Sequence, residues 1–169
     1  MIIFPIIMLL FIFFPIGVES GQSIALNTKA PDFSLKDQYD RTFNLREFEG
    51  QVVVLIASDK EGSAQNHLWG RKIRERYGNK IIIIGMADLR SVPFFLKNKI
   101  KEDFKKDDNS ILLDWSGKVF DAYELAKKVS NIIVIDKKGY VRFTYSGSAT
   151  KEAVNCLFEA IDDLSSSLE

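Results

Sequence analysis

Runs of apolar residues alternate with helical spacings along most of the chain, and this pattern predicts an α/β protein. Residues 52–57 and 81–84 are continuous runs of Val, Leu, Ile and Ala, which are typical of strands buried on both faces of a sheet. The first run leads through a polar loop into a helical spacing that ends at Tyr77. Open α/β sheets usually have their sites at the carboxyl ends of such strands, so chemistry is expected at residues 58–64.

Later segments continue the same alternation. Five further stretches are predicted to be extended: 30–35, 42–45, 111–114, 131–136 and 140–146. Ser91 is the expected N-cap of a second helix, with Pro93 in its first turn and Phe95 among its apolar positions. The last helix has the clearest apolar stripe and extends to Leu164. This order demands a central mixed β-sheet flanked by helices on both faces, with an N-terminal strand or hairpin extension.

The N-terminal residues have the composition of an export signal. Residues 1–16 are almost wholly apolar, and Val18 and Ser20 resemble the cleavage site that follows the apolar part of a secretory leader. The interpretation is a signal peptide at residues 1–20 that is cleaved after Ser20, with an uncleaved anchor as the alternative. The run is short for a bilayer span, which needs about 20 residues. The exported protein would be periplasmic in a bacterium with two membranes, and otherwise extracellular or membrane-anchored.

The remaining chain is divided into a lead-in at residues 21–29, one domain at residues 30–164 and a frayed tail at residues 165–169. Its 23 basic and 23 acidic residues balance, which argues against a nucleic-acid partner and against a membrane partner beyond the N-terminal segment. Cys156 is the only cysteine, so no disulfide can form within the chain. Stability is therefore expected to come from the apolar core alone.

Four stretches in this order resemble the redoxins, the thioredoxin-fold group that includes peroxiredoxins, thiol-specific antioxidants and exported TlpA-like thiol reductases. The stretches are residues 30–35 (APDFSL), 43–55 (FNLREFEGQVVVL), 111–123 (ILLDWSGKVFDAY) and 132–141 (IIVIDKKGYV). The resemblance implies a thioredoxin-like fold over about residues 28–161. It does not by itself imply an oxidoreductase, because one fold supports many functions.

The departures from this family concern its reactive thiols. In the redoxins the thiols lie at the amino end of the helix after the central strand, where the helix dipole and free N–H groups stabilise a thiolate. Aligned on residues 52–57, the two cysteine positions of the family correspond to Glu61 and Ala64. The cis-proline that faces the thiols corresponds to Ser130. The sequence therefore most resembles the cysteine-less exported branch typified by the YtfJ family, and this resemblance defines no biochemical role.

Five side chains around the vacated thiol positions form the candidate surface for a ligand or partner: Asp59, Lys60, Glu61, Ser63 and His67. The simpler interpretation is a solvated loop in which Ser63 is the N-cap of the helix. His67 is the only histidine, and it would need Asp59 or Glu61 beside it to act as a general base or a metal ligand. No metal site and no cofactor are predicted.

Cys156 lies at the margin of the apolar stripe of the last helix. It is expected to be a small, mostly buried core residue, which is the usual state of a free cysteine. The alternative is a relocated redox thiol or an intermolecular disulfide, although nothing near it in sequence is electropositive enough to activate a thiol.

Two functions are therefore open. The first is an exported, non-catalytic module that binds an unidentified protein or a small ligand, and a structural role in an envelope assembly is not distinguished from it. The second is a peroxiredoxin-like antioxidant oxidoreductase that acts through Cys156 or through a non-thiol site. Missing thiols favour the first. The second gains support if Cys156 is open to solvent beside a basic group, or if His67 lies within about 3.2 Å of a partner in the loop.

Overall fold

A computed structural model describes residues 24–106 and 109–166 of the 169-residue chain. The predicted leader at residues 1–20, the start of the lead-in and the last three residues lie outside the described part. Across the described ranges, no helix combines the length and the apolar composition that a membrane crossing requires.

Residues 24–106 and 109–166 contain seven strands, which form two sheets. A small antiparallel hairpin pairs β1 (Ser34–Lys36) with β2 (Thr42–Asn44). The main sheet contains β3 (Val53–Ser58), β4 (Ile82–Asp88), β5 (Ile111–Asp114), β6 (Asn131–Ile135) and β7 (Val141–Ser146). Its strand order is β5-β4-β3-β6-β7. The first three of these are mutually parallel, whereas β6 runs antiparallel to β3 and β7 runs antiparallel to β6.

The described part of the chain also contains four α-helices and three short 3-10 helices. The α-helices are α1 (Asn66–Tyr77), α2 (Lys97–Phe104), α3 (Lys118–Ala122) and α4 (Lys151–Ser166). The 3-10 helices are Leu45–Phe48, Ser63–Gln65 and Phe94–Leu96. Helix α4 continues two residues beyond the predicted end at Leu164.

Strand β3 is central because each of its faces meets a separate apolar core. Every residue of β3 is buried, and successive side chains alternate between the two faces of a strand. Leu55 belongs to the core formed with α3 and the N-terminal hairpin, where Phe120 and Phe33 lie. Ile56 belongs to the opposite core, formed with α1 and α4. These two layers confirm the predicted α/β class, a mixed sheet with helices on both faces and an N-terminal hairpin.

The start of the second helix differs from the prediction. Pro93, rather than Ser91, is the residue at the helix boundary, since its ψ of 142° is extended and the 3-10 turn begins only at Phe94. Proline suits this position because its fixed φ, here −57°, is compatible with helix entry and its missing N–H is not needed. As a result Phe95 is 80% exposed, and α2 contains no buried residue.

Candidate functional site

The loop after β3 is tied to the segment before β6 by Asp59. One carboxylate oxygen of Asp59 accepts a hydrogen bond from the backbone N–H of Gly62 at 2.8 Å, which shapes the loop. The other accepts from the backbone N–H of Lys128 at 2.9 Å. Asp59 was expected in a solvated loop, but it is half-buried and joins two loops. Its carboxylate is therefore engaged in holding the site together.

Ser130, at the family's cis-proline position, completes this connection. The side chain is buried, and its hydroxyl lies 2.6 Å from the Asn66 carbonyl Oδ1 and 3.1 Å from the Gly62 carbonyl oxygen. The Asn66 amide in turn donates to the hydroxyl of Ser58 at 2.8 Å. Throughout the described ranges all peptide bonds are trans, including the one before Ser130. Ser130, Asn66 and Ser58 thus form a continuous hydrogen-bond network between the two segments.

Gly62 allows the two loops to touch. A Cβ atom at this position would lie 2.3 Å from the carbonyl oxygen and 2.5 Å from the backbone nitrogen of Val129. Its φ of −83° is accessible to any residue, so glycine is required here by space and not by conformation. The backbones of Gly62 and Val129 thus approach so closely that no larger side chain fits at position 62 without a shift.

Asn131 fixes the shape of the second loop. Its amide donates to the carbonyl oxygens of Ala126 at 2.8 Å and Ala57 at 3.2 Å. Its own carbonyl accepts from the Ala126 N–H at 2.9 Å and from the Ser146 hydroxyl at 2.7 Å. A buried amide that is satisfied in this way has no capacity left for a ligand.

The two vacated thiol positions and their neighbours face solvent. Glu61 and Ala64 are exposed, as are Lys60 and Ser63. The Ser63 hydroxyl donates to the Lys60 carbonyl oxygen at 2.9 Å, and Gly62 is the residue at the N-terminal boundary of the 3-10 turn. The interpretation of Ser63 as an N-cap is therefore wrong, because its side chain points back into the loop.

His67 has none of the partners that catalysis or metal binding would require. It is exposed in the first turn of α1, and within the described residues no hydrogen bond joins it to Asp59, Glu61 or Ser63. In the same part of the chain, no group of three His, Cys, Asp or Glu residues is arranged to hold a metal ion. The loop offers neither a nucleophile with a base nor a ligand set.

Cys156 is exposed, so the expectation of a mostly buried core residue is wrong. The apolar stripe of α4 is centred on Val154, Leu157 and Ile161, and Cys156 is turned by about 100° from Leu157 along the helix. Its neighbours one turn away on the helix surface are Glu152 and Glu159. Reactive thiols are found in electropositive surroundings, which these acidic neighbours do not provide.

Sequence reasoning did not single out Asn66 and Asn131, and it placed Ser58 in the expected site without a role in this network. Each is a polar residue at the end of an apolar strand or at the start of a helix. A signal was present in Asn131, since a polar residue directly before the buried run of residues 132–135 must find partners. Some of its partners come from segments distant in sequence, so a local sequence pattern cannot predict them.

Several solved structures share this fold. An exposed lipoprotein thioredoxin (Etrx1) from Streptococcus pneumoniae is 21% identical, with a TM-score of 0.60 over 76% of this chain and 98% of that one. A putative thiol:disulfide interchange protein DsbE from Chlorobium tepidum is 17% identical, with a TM-score of 0.66 over 84% and 99%. A peroxiredoxin-like protein from Aquifex aeolicus is 16% identical, with a TM-score of 0.54 over 83% and 90%. A comparison with curated proteins finds no match.

These likenesses and the mixed sheet define the class: the chain is a thioredoxin-fold protein with redoxin-like structural relatives, and it has a single cysteine. Residues 72–164, more than half of the chain, match the sequence model of the family described as "Bacterial protein of unknown function (YtfJ_HI0045)". The chain belongs to that family. The matched region begins within α1, after the loop that contains the vacated thiol positions.

Proposed function

We propose that this protein is an exported thioredoxin-fold module without catalytic activity, which binds a protein or a small ligand. The observation that carries the proposal is the closed loop after β3. The positions where the redoxins have their thiols are occupied by Glu61 and Ala64, and Ser130 joins the loop to the segment that would face a substrate.

Disulfide exchange requires a thiolate that can approach a second sulfur, and cysteine peroxidase chemistry requires a thiolate that attacks peroxide. Neither Glu61 nor Ala64 can supply one. The close approach of the Gly62 and Val129 backbones also supports a loop that is packed against the segment before β6. These features support a role in binding, in which the exposed side chains of Lys60, Glu61 and His67 are available for contact.

The alternative is a peroxiredoxin-like antioxidant that acts through Cys156, and the exposure of this thiol favours it. Purified mature protein is incubated with hydrogen peroxide, and in parallel with an oxidised dithiol substrate and a reductant. We expect no turnover above the buffer blank and no difference between the wild type and Cys156→Ser. Peroxide consumption that disappears in Cys156→Ser would establish the alternative.

Binding is tested by chemical cross-linking and capture in the compartment where the protein resides. Wild-type protein is compared with Glu61→Lys, and Glu159→Lys on the exposed surface of α4 is the matched charge-reversal control. We expect a saturable partner that Glu159→Lys retains. A partner lost in Glu61→Lys would assign contact to the loop, whereas the absence of any saturable partner or ligand would contradict a binding role.

Export is the part of the proposal that rests on sequence. The apolar residues 1–16 and the small-residue site at Ser20 support a cleaved leader. Mass spectrometry of the protein from its source is expected to find an N-terminus at Gly21, in a fraction outside the cytoplasm. Full-length protein in the soluble cytoplasmic fraction would contradict export.

A further inference from the structure

A groove lies between the N-terminal hairpin, the carboxyl end of β5 and the start of α2. Its volume is about 520 Å³, and its walls include Leu35 of β1, Trp115 after β5, and Phe94 and Phe95. Because β3, β4 and β5 are parallel, their carboxyl ends meet at one edge of the sheet. The groove is thus at the edge where α/β folds usually bind ligands, two strands or roughly 10 Å along from the closed loop.

The two phenylalanines of the groove are far more exposed than folding requires. Phe94 is 84% exposed and Phe95 is 80% exposed. Burying such a ring stabilises a protein, yet both rings are directed to solvent at adjacent positions. Exposed aromatic clusters of this kind mark surfaces that are covered by a partner.

Among the described residues, the acidic side chains of the groove have close polar partners, whereas two of its lysines do not. Both acids of the groove are engaged, since Asp40 forms an ion pair with Lys101, and Asp114 accepts hydrogen bonds from Ser116 and from the first backbone N–H groups of α3. By contrast, Lys97 forms no ion pair with any residue in the described ranges, and Lys36 acts on the Asp40 carboxylate only through a longer-range charge interaction. The groove therefore presents positive charge that a partner can neutralise.

Lys97 combines this charge with the aromatic surface. Its ammonium nitrogen lies 5.0 Å from the ring centroid of Trp115 and 5.5 Å from that of Phe94, distances at which a cation is attracted to the face of the ring. The contacts hold the ammonium group at the groove wall instead of leaving it on a mobile side chain. An apolar surface and a positioned cation are thus side by side.

We propose that this groove binds a protein segment in which a bulky apolar side chain stands next to acidic residues. The inference rests on the proposed binding function and names a partner class and a surface for it. The apolar side chain would pack between Phe94, Phe95 and Trp115, and the carboxylates would pair with Lys97 and Lys36. A second copy of this chain fits less well, because a symmetric contact of the groove with itself would bring Lys97 against Lys97. A flat membrane surface would meet protruding rings and leave the concave part empty.

The test uses the mature protein and three sets of short fluorescent peptides, with binding followed by anisotropy. One set combines Phe or Leu with flanking Asp and Glu, the second replaces the acids by Lys, and the third replaces the apolar residue by Ser. We expect binding of the first set only. Lys97→Glu, and separately the pair Phe94→Ser and Phe95→Ser, should weaken it by about tenfold or more. Lys151→Glu, an exposed charge reversal at the start of α4, should have no effect.

Three results would overturn the proposal. The first is no binding of the acidic apolar peptides, or equal binding of all three sets. The second is binding that the groove variants leave unchanged. The third is sedimentation of the protein with vesicles of anionic lipid that is lost in the phenylalanine variant, which would assign the surface to a membrane. A captured partner retained equally by the groove variants would preserve the binding function and contradict only the groove.

Discussion

Ser130 connects two segments that the sequence places far apart. Its side chain is buried, and its hydroxyl donates hydrogen bonds to Asn66 and Gly62 across the loop. A side chain that bridges two segments 64 residues apart in sequence holds them in contact. The hydroxyl of Ser130 thus holds the loop after β3 and the segment before β6 together.

Replacing Ser130 by alanine tests that interpretation. The substitution leaves the Asn66 carbonyl without its donor in a part-buried position, which is expected to lower the free energy of unfolding by about 1–3 kcal/mol. Ser63→Ala is the control, because the exposed Ser63 hydroxyl bonds only within its own loop and its loss should change stability by less than about 0.5 kcal/mol. Urea unfolding followed by circular dichroism measures both. Equal effects of the two variants would show that Ser130 does not join the loops.

Gly62 gives a second prediction at the residue scale. Gly62→Ala is expected to lower the free energy of unfolding by about 1–3 kcal/mol, since the new methyl group would overlap the Val129 backbone. Gly70→Ala in α1 is the matched control. Its Cβ would meet only the Ile56 side chain at an ordinary 3.8 Å, and alanine favours the helix by up to about 1 kcal/mol. Denaturation midpoints of the two variants should therefore move in opposite directions, and a stabilising Gly62→Ala would contradict the close contact.

The position of the loop after β3 was predicted from the apolar run before it, and its residues Glu61 and Ala64 are exposed. That these two residues correspond to the thiol positions of the redoxins stays a prediction. Cys156 was predicted wrongly because a residue at the margin of a helical stripe turns inward or outward according to its packing partners. Here Val154, Leu157 and Ile161 occupy the contact, and the thiol is left outside.

Helices α1 and α4 are joined by a polar contact at the edge of their apolar interface. Tyr77 packs edge-on against Phe158 with ring centroids 5.6 Å apart, and its hydroxyl donates to Asp162 at 2.8 Å. Burial, followed by the hydrogen bond to Asp162, raises the pKa of Tyr77 to about 12 from its ordinary 10.0. Because Arg76 also binds Asp162, the carboxylate stays charged beside the phenol.

The raised pKa predicts how stability changes in alkali. The folded state holds the Tyr77 proton more tightly than the unfolded state, so this contribution is complete below pH 10 and is lost as pH rises from 10 to about 12. Tyr123, whose pKa is also raised by burial, adds to the same decline. In Tyr77→Phe the unfolding free energy should start lower and fall less steeply over this range, as measured by urea unfolding at successive pH values. If the unfolding free energy of wild type and variant fell equally with pH, Tyr77 would not contribute to the pH dependence of stability.

Secondary structure was predictable because burial leaves apolar runs in buried strands and an apolar stripe along a helix that packs on one side. The buried runs at β3 and β6 and the stripe of α4 were visible in this way. The start of α2 was predicted incorrectly, since Ser91 and Pro93 both suit a helix start and only the packing of the following residues decides between them. With the helix boundary at Pro93, Phe94 and Phe95 lie on the surface. The capping pattern therefore gave the wrong helix start beside the groove.

At the scale of the whole molecule, the fold could be predicted from the sequence, whereas the closed loop and the groove could not. The closed loop needs residues 59–66 to meet residues 128–131, and the groove needs the hairpin to lie beside α2. Such contacts are set by how the sheet is assembled. They join segments that are distant in sequence, and the local pattern of one segment does not predict its contact with the other.

The same assembly predicts that the stability of the molecule depends on its two apolar layers and on no covalent link. Leu157 and Cys156 are adjacent on α4, but Leu157 is fully buried and Cys156 is exposed. Leu157→Ala is expected to lower the free energy of unfolding by about 2–5 kcal/mol, whereas Cys156→Ser should change it by less than about 0.5 kcal/mol. Thermal unfolding of the wild type should have the same midpoint with and without dithiothreitol, because a single cysteine forms no bond within the chain. A midpoint that falls on reduction, and that falls equally in Cys156→Ser, would mean that a disulfide between two copies supports the fold.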